Sequence, residues 1–188
     1  MPDRAESAWS CNGISSLTAA LLMLLMLPDM SLAATLEQRV AICDDEKAAP
    51  TARRTACTAI IDDPAAASRA RADALVNRGD ISGDEADYDR AIADFTAALA
   101  LNPKDAAAHL LRGNAHDAKG DLDKALADYD AAVRLDPNDA AGYFNRGEIY
   151  QAKGDRQRAI ADYQKAIKID PSFVGAKEAL AAATTAKP

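Results

Sequence analysis

The chain has 188 residues, a formal net charge of −7 at pH 7 and only 5% aromatic residues. A chain of this length holds one domain with a hydrophobic core and is short for two. Its negative charge, without a long run of lysine and arginine, argues against a surface that binds nucleic acid or an anionic membrane. Abundant alanine and few β-branched residues after the first third favour closely packed helices over a sheet.

Residues 1–34 have the pattern of an export signal. The apolar stretch LTAALLMLLML at 17–27 is too short to cross a bilayer, which takes about 20 residues, but it suits the apolar core of a signal peptide. The sequence SLAA at 31–34 then supplies the small residues that a signal peptidase requires, with cleavage after Ala33 or Ala34. We therefore expect the segment to be cleaved and the mature chain to be exported to the periplasm.

An uncleaved segment that anchors the chain in a membrane is the alternative. The region before the apolar core lacks the usual positive charge, because Asp3 and Glu6 offset Arg4 and the amino terminus. A buried core helix fits less well, since nothing amphipathic surrounds the segment. Cys11 precedes the apolar core, whereas the cysteine of a lipoprotein usually follows it.

Residues 35–71 predict a degenerate helical hairpin with helices at 36–47 and 51–61. Pro50 separates the two helices, because proline disfavours helix at the residue before it and suits the first turn of the helix after it. The two predicted helices therefore run antiparallel.

Cys43 and Cys57 lie one on each of these helices and are the two cysteines of the mature chain. An even pair in an exported chain favours a disulfide, which would staple the hairpin and add about 3 kcal/mol of stability in the chain-entropy model. Two buried thiols are the alternative. A metal site is not expected, since no histidine or third cysteine lies nearby.

From residue 72 to residue 173 the sequence repeats every 34 residues. The columns that agree in all three copies are Gly79, Gly113 and Gly147; Ala91, Ala125 and Ala159; Asp94, Asp128 and Asp162; the aromatic residues Phe95, Tyr129 and Tyr163; Ala98, Ala132 and Ala166; and Pro103, Pro137 and Pro171. A fixed period of this length indicates that one structural unit is stacked several times.

Each copy predicts two antiparallel helices joined by a short turn. In the second copy, residues 106–119 and 122–135 place apolar and small side chains at helical spacing. KGD at 119–121 separates them, with Gly120 suited to the left-handed residue after a helix and Asp121 suited to an N-cap. One such pair of helices cannot bury both of its apolar faces, so the copies must stack.

These columns resemble the tetratricopeptide repeat (TPR), whose pattern places a bulky residue, glycine, aromatic residues, alanines and proline at fixed offsets. Residues 140–173 match the pattern with Tyr143, Gly147, Tyr150, Gly154, Ala159, Tyr163, Ala166 and Pro171. Residues 106–139 match it with His109 and His116 in the two aromatic positions of the first helix.

The first copy, residues 72–105, departs from this pattern. Ser82 replaces the aromatic residue, Ala86 replaces the turn glycine, and Gly83 comes early. We therefore expect the first helix of this copy to end near Ser82 and its turn to be longer than the others.

The resemblance implies an all-α fold: a right-handed superhelical solenoid of antiparallel helix pairs, with about nine helices in the mature chain. Its parts are TPR 1 at 72–105, TPR 2 at 106–139 and TPR 3 at 140–173, preceded by the hairpin at 35–71. A capping helix and tail at 174–188 would cover the last apolar face, as terminal helices of solenoids do.

No catalytic residue, cofactor or metal site is predicted from the sequence, and we do not expect an enzyme. His109 and His116 lie seven residues apart on one helix, roughly 10 Å, which is too far to share a metal directly, and both occupy packing positions of the repeat. The acidic run SGDEADYD at 82–89 lacks the alternating carboxylates, central glycine and distal glutamate of a calcium loop. We interpret it as a solvated turn.

Three arginines, Arg78, Arg112 and Arg146, precede the repeat glycine, where the family usually has a large aliphatic residue. The aspartate column lies on the facing helix of each copy. We predict a ladder of arginine–aspartate pairs, within one copy or between neighbours. As exposed pairs they would each contribute about 0–1 kcal/mol.

In the TPR family the first helices line a concave face that receives a peptide or a helix. By analogy the lining here is Asp73, Val76, Asn77, Asp80 and Asp84 in TPR 1, Leu110, Leu111, Asn114 and Asp117 in TPR 2, and Phe144, Asn145, Glu148 and Gln151 in TPR 3. The asparagine amides would pair with a ligand backbone, the carboxylates would favour a basic segment, and Leu110, Leu111 and Phe144 would form an apolar patch. A solvated groove dominated by polar residues is the alternative.

TPR domains that clamp the carboxylate tail of cytosolic chaperones are excluded. They use lysine, arginine and asparagine at positions that here carry Val76, Asp80, Leu111, Ala141 and Asn145. The groove therefore has the wrong charge for an anionic tail.

Together these features predict a non-enzymatic protein–protein interaction module, an exported adaptor or scaffold that binds a peptide or protein segment in an acidic and apolar groove. Neither nucleic-acid binding nor stable membrane insertion after signal cleavage is expected. The alternative is a structural protein that self-assembles through its end faces, which concentration-dependent elution in size-exclusion chromatography would reveal.

Overall fold

The computed structural model describes residues 34–185 of the chain. The predicted signal segment lies outside the described residues except for Ala34, and so do the last three residues of the predicted tail. Over the described range the ordered elements are all helices, without strands. They belong to one compact unit that begins at Leu36.

Nine helices follow one another between residues 34 and 185. They are α1 (Leu36–Asp44), α2 (Pro50–Ile61), α3 (Ser68–Asp84), α4 (Tyr88–Leu101), α5 (Ala106–Ala118), α6 (Leu122–Leu135), α7 (Ala140–Ala152), α8 (Arg156–Ile169) and α9 (Val174–Thr185). Each helix packs mainly against its neighbours in the sequence. The predicted all-α fold of stacked helix pairs is confirmed, with α3/α4, α5/α6 and α7/α8 as the three repeats.

Aspartates begin most helices of the repeats. Backbone N–H groups in the first turns of α4, α5, α7 and α8 donate to the carboxylates of Asp87, Asp105, Asp139 and Asp155. Such a cap is worth about 1 kcal/mol. Asp121, the N-cap predicted for α6, makes no such bond to a described residue, and its carboxylate instead pairs with Lys124 at 2.8 Å.

The turn of the first repeat is as short as the others, so the expectation of a longer turn is wrong. Helix α3 does not stop near Ser82 but runs to Asp84, the position equivalent to the last residue of α5. Ala86 takes the left-handed conformation (φ 59°), as Gly120 does in the next repeat (φ 80°). This conformation costs a residue with a Cβ atom roughly 1 kcal/mol, and the packed helices on either side offset that cost.

A glycine of each first helix faces an aromatic ring of the second helix. An added Cβ atom would lie 2.8 Å from the ring of Phe95 at Gly79, 2.7 Å from that of Tyr129 at Gly113, and 2.7 Å from that of Tyr163 at Gly147. These distances are below ordinary van der Waals contact, so only glycine permits this approach. The three rings are only 1–2% exposed and fill the space between the helices.

The arginine before each of these glycines binds the aspartate before the facing ring. Its Nε and Nη2 atoms donate to the two carboxylate oxygens at 2.7–2.9 Å, joining Arg78 to Asp94, Arg112 to Asp128 and Arg146 to Asp162. The predicted ladder is confirmed, but the expectation of exposed pairs is wrong, because the aspartates are only 5–9% exposed. Breaking a buried pair costs about 3–5 kcal/mol, more than a surface pair contributes.

The remaining guanidinium nitrogen, Nη1, reaches the preceding helix pair. It donates from Arg78 to Thr58 at 3.2 Å, from Arg112 to Thr96 at 3.2 Å and from Arg146 to Asp130 at 2.8 Å. Each arginine therefore closes its own repeat and also ties that repeat to the one before it.

The ends of the solenoid are closed in different ways. In the hairpin of α1 and α2, the Cα atoms of Cys43 and Cys57 lie 5.0 Å apart, within the usual range of a disulfide; the oxidation of this pair in the exported chain stays a prediction. Both cysteines are 0–1% exposed and pack beside Ile60. At the other end α9 packs on α8 through Ala183, in the position predicted for a capping helix.

The glycine contact predicts opposite effects at two glycines inside helices. Gly113→Ala drives a Cβ atom into the ring of Tyr129, so we expect the free energy of unfolding to fall by about 1–3 kcal/mol. Gly83→Ala is the matched control, because no described atom lies within 4 Å of its Cβ position; here we expect a gain of about 1 kcal/mol from helix propensity. Chemical denaturation measures both, and changes of the same sign would contradict the contact.

Candidate partner-binding groove

The residues expected to line the groove lie on α3, α5 and α7, the first helices of the three repeats. Six of them are exposed: Asp73, Asp84, Asn114, Asp117, Glu148 and Gln151. Seven are half-buried: Val76, Asn77, Asp80, Leu110, Leu111, Phe144 and Asn145. The set therefore offers polar groups to solvent above a partly covered apolar layer.

A cleft of about 270 Å³ opens between α3 and α5. Asp80 and Asp84 of α3 line it on one side, Leu111 and Asn114 of α5 line it on the other, and Phe95 of α4 contributes to its wall. The fold thus brings together four of the expected groove residues from two repeats.

Asparagine side chains connect the first helices, a role that the sequence interpretation missed. Asn145 of α7 donates to Oδ1 of Asn114 on α5 at 2.9 Å, and Asn77 of α3 donates to Asp44 at 2.7 Å. The hydroxyl of Tyr129 also donates to Asn114, at 2.8 Å. The amides expected to bind a ligand backbone therefore also hold the groove in shape.

The tyrosine contact recurs in the last repeat, where the Tyr163 hydroxyl donates to Glu148. In both repeats the groove residue precedes the tyrosine by 15 positions. This recurrence is visible in the sequence, and it is the signal that would have identified the contact.

The apolar residues of the groove are shared with the core. Leu111 packs with the Phe95 cluster and Leu110 with the Tyr129 cluster. The ring of Phe144 lies 5.9 Å from that of Tyr163. Each residue therefore supports the scaffold with one side and faces the groove only with the remainder.

Desolvation raises the pKa of three groove carboxyls above the usual aspartate value: that of the half-buried Asp80, and those of Asp73 and Asp117, which are exposed and only partly shielded from water. Neighbouring carboxylates add to the rise, with Asp84 acting on Asp80 and Glu148 acting on Asp117. At neutral pH the ionised groove therefore repels itself, and a bound cation would relieve that repulsion.

The two histidines are placed differently. His109 Nδ1 lies 3.1 Å from an oxygen of Asp128, so this side chain joins the arginine–aspartate ladder as well as the packing. His116 is 8% exposed and packs in the repeat as expected; burial lowers its pKa. Among the described residues, no cluster of histidine, cysteine and carboxylate side chains is suited to hold a metal.

The repeats identify the family. Tetratricopeptide repeats match residues 77–140 and again residues 140–173, which together make up just over half of the 188-residue chain. The chain belongs to the tetratricopeptide repeat family. It is therefore a protein-interaction module and not an enzyme. Within the described range, no helix has the length and hydropathy needed to cross a membrane.

Solved structures share the fold at low sequence identity. The first TPR of Spaghetti (RPAP3), bound to the HSP90 peptide SRMEEVD, is 22% identical with a TM-score of 0.61, over 62% of this chain and 92% of that one. The second TPR domain of human RPAP3, in complex with the HSP70 peptide SGPTIEEVD, is 22% identical with a TM-score of 0.61, over 64% and 100%. MamA is 21% identical with a TM-score of 0.67, over 80% and 84%. A comparison with curated protein sequences found no match.

The raised pKa values predict how stability changes with pH. A carboxyl whose pKa is higher in the folded than in the unfolded chain destabilises the fold once it is ionised, and this penalty disappears as the pH falls below both values. We expect Asp80→Asn to raise the free energy of unfolding at neutral pH by roughly 0.5 kcal/mol. The gain should vanish below the ordinary aspartate value of 3.8, as chemical denaturation at both pH values would measure.

Asp155→Asn is the control, and its effect on the free energy of unfolding should have the opposite sign. The backbone N–H of Arg158 donates to this carboxylate and lowers its pKa. This substitution should therefore reduce stability at neutral pH, with the difference again lost in acid. A gain in stability for both variants, or for neither, would contradict the raised pKa of Asp80.

Proposed function

We propose that the protein is an exported TPR adaptor or scaffold that holds a basic and apolar segment of a partner protein against α3, α5 and α7. The observation that carries the proposal is the placement of groove carboxylates on all three first helices, with two of them, Asp80 and Asp84, lining the cleft between α3 and α5. The others are Asp73, Asp117 and Glu148. A cationic segment would complement their charge, and complementary charge gives specificity and speeds association.

The apolar part of the segment would contact the exposed sides of Leu110, Leu111 and Phe144. Since these three side chains also pack in the core, their surface is already ordered before a partner arrives. A preordered surface reduces the entropy lost on binding. Basic side chains interspersed with apolar ones therefore fit the groove best.

The peptide-bound neighbours support a peptide as the ligand. The charge that we propose for this peptide differs from the charge of theirs. The HSP90 peptide SRMEEVD carries three acidic side chains and one basic side chain. An acidic tail of this kind would be repelled by the groove described here, so the ligand class of that neighbour is not transferred to this chain.

Export to the periplasm, with residues 1–34 as a cleaved signal peptide, is part of the proposal. The geometry of the Cys43–Cys57 pair supports it, because disulfides persist in oxidising compartments. Retention of the segment as a membrane anchor is the alternative for localisation, and self-association through the end faces is the alternative for function.

Reversal of two exposed groove charges tests the proposed function. The double variant Asp73→Lys, Asp117→Lys changes side chains that are exposed, so the fold should persist while the affinity for a basic partner falls roughly tenfold or more. The measurement is affinity capture from an envelope extract of the source cells, with the captured proteins identified by mass spectrometry.

The matched control is Glu37→Lys, Glu178→Lys, which makes the same change in net charge on α1 and α9. We expect this control to capture the same proteins as the unmodified chain. If every captured protein persisted with the groove variant, or if both variants lost them equally, the groove would not be the binding surface.

A further inference from the structure

Gly83 lies inside α3 without a packing reason for being glycine. The glycines that pack the repeats face aromatic rings, whereas no described atom lies within 4 Å of a Cβ built at Gly83. The equivalent positions of the other repeats carry Asp117 and Gln151. Glycine inside a helix costs about 1 kcal/mol relative to alanine, so the fold of the first repeat gains nothing from it.

The missing side chain leaves open the cleft between α3 and α5. Gly83 lines that cleft together with Asp80, Asp84, Tyr88, Phe95 and Leu111. Apolar walls and two carboxylates one helical turn apart therefore meet in a volume of about 270 Å³.

This combination occurs in the first repeat alone. At the position of Asp84 the other repeats have Ala118 and Ala152, and at the position of Tyr88 they have Leu122 and Arg156. The cleft is thus specific to one repeat and is not a by-product of the repeat architecture.

Asp80 lacks the hydrogen-bond donor that its equivalents have. Asn114 and Glu148 each accept from a tyrosine hydroxyl, but the facing ring in the first repeat is Phe95, which has no hydroxyl. Burial and the charge of Asp84 raise the pKa of Asp80, and the attraction of Arg53 opposes them. Since no described side chain donates a hydrogen bond to it, the Asp80 carboxylate is available to a ligand.

We propose that this cleft binds one lysine or arginine side chain of the partner segment. The proposal rests on the proposed function and deepens it. The aliphatic stem would pack on Phe95 and Leu111, and the cationic head would meet Asp80 and Asp84 beside the ring of Tyr88. An acidic side chain is repelled here, and an apolar one leaves two carboxylates desolvated without a partner.

The test is a selection of random linear peptides displayed on phage, with the purified protein immobilised. We expect the selected peptides to share one lysine or arginine at a fixed position. Isothermal titration calorimetry then measures each peptide, together with a copy in which norleucine replaces that residue. The loss of the charged head should weaken binding roughly tenfold or more.

Three variants test whether the basic side chain of the peptide binds in the cleft between α3 and α5. Gly83→Gln copies the third repeat and fills the cleft, and Asp80→Asn with Asp84→Ala copies the second repeat and removes the charge. Each should weaken the selected peptides roughly tenfold or more. Glu178→Gln removes one exposed carboxylate on α9, outside the groove, and should change the affinity by no more than about twofold. Circular dichroism confirms that each variant is folded.

The outcomes separate this proposal from the proposed function. Selected peptides without a fixed basic residue, or unchanged affinity for Gly83→Gln, would overturn the cleft while leaving the groove as the binding surface. If no peptide were enriched, or if the double variant Asp73→Lys, Asp117→Lys bound every peptide unchanged, the proposed function and the cleft would fail together.

Discussion

Two adjacent residues on one helix meet two adjacent residues on the next, and the rest of the structure depends on this contact. In each repeat an Arg-Gly pair of the first helix faces an Asp-aromatic pair of the second. The glycine permits close approach, the ring fills the gap, and the buried ion pair fixes the register, since a shift of either helix would leave a charge buried without its partner. Because the same arginine also binds the preceding repeat, one side chain sets both the pairing and the stacking.

The groove follows from this stacking. Once the second helices are tied together through the arginines, the first helices lie side by side and their polar residues face a common surface. In the second and third repeats a tyrosine hydroxyl donates a hydrogen bond to a polar residue of that surface. In the first repeat phenylalanine leaves Asp80 without such a donor, and glycine leaves the space beside it open. Self-repulsion among carboxylates lowers stability, and binding sites often retain such a cost.

The sequence predicts features that recur with the 34-residue period far better than features that depend on local environment. The glycine contacts and the arginine–aspartate ladder are foreseeable because three copies repeat them. The left-handed conformation of Ala86 is not foreseeable, since conformational propensity assigns it to glycine. Here the packing of the helices on either side overrides that propensity. The burial of the ladder aspartates is also not predictable from the sequence, because the spacing shows which residues meet but not how much water reaches them. The contact of His109 with Asp128 is not foreseeable either, because the repeat position of His109 indicates packing and says nothing of which polar group its ring meets.

The central claim is that α3, α5 and α7 bind a basic peptide as one surface. The most direct test maps the amide chemical shifts of the isotope-labelled protein as a selected peptide is added. We predict shift changes along these three helices and at Tyr88 and Phe95 of α4, which line the cleft, centred on Gly83 and Leu111, with α6 and α8 little affected. Changes confined to the second helices, or to α1 and α9 at the two ends, would contradict a groove formed by the first helices.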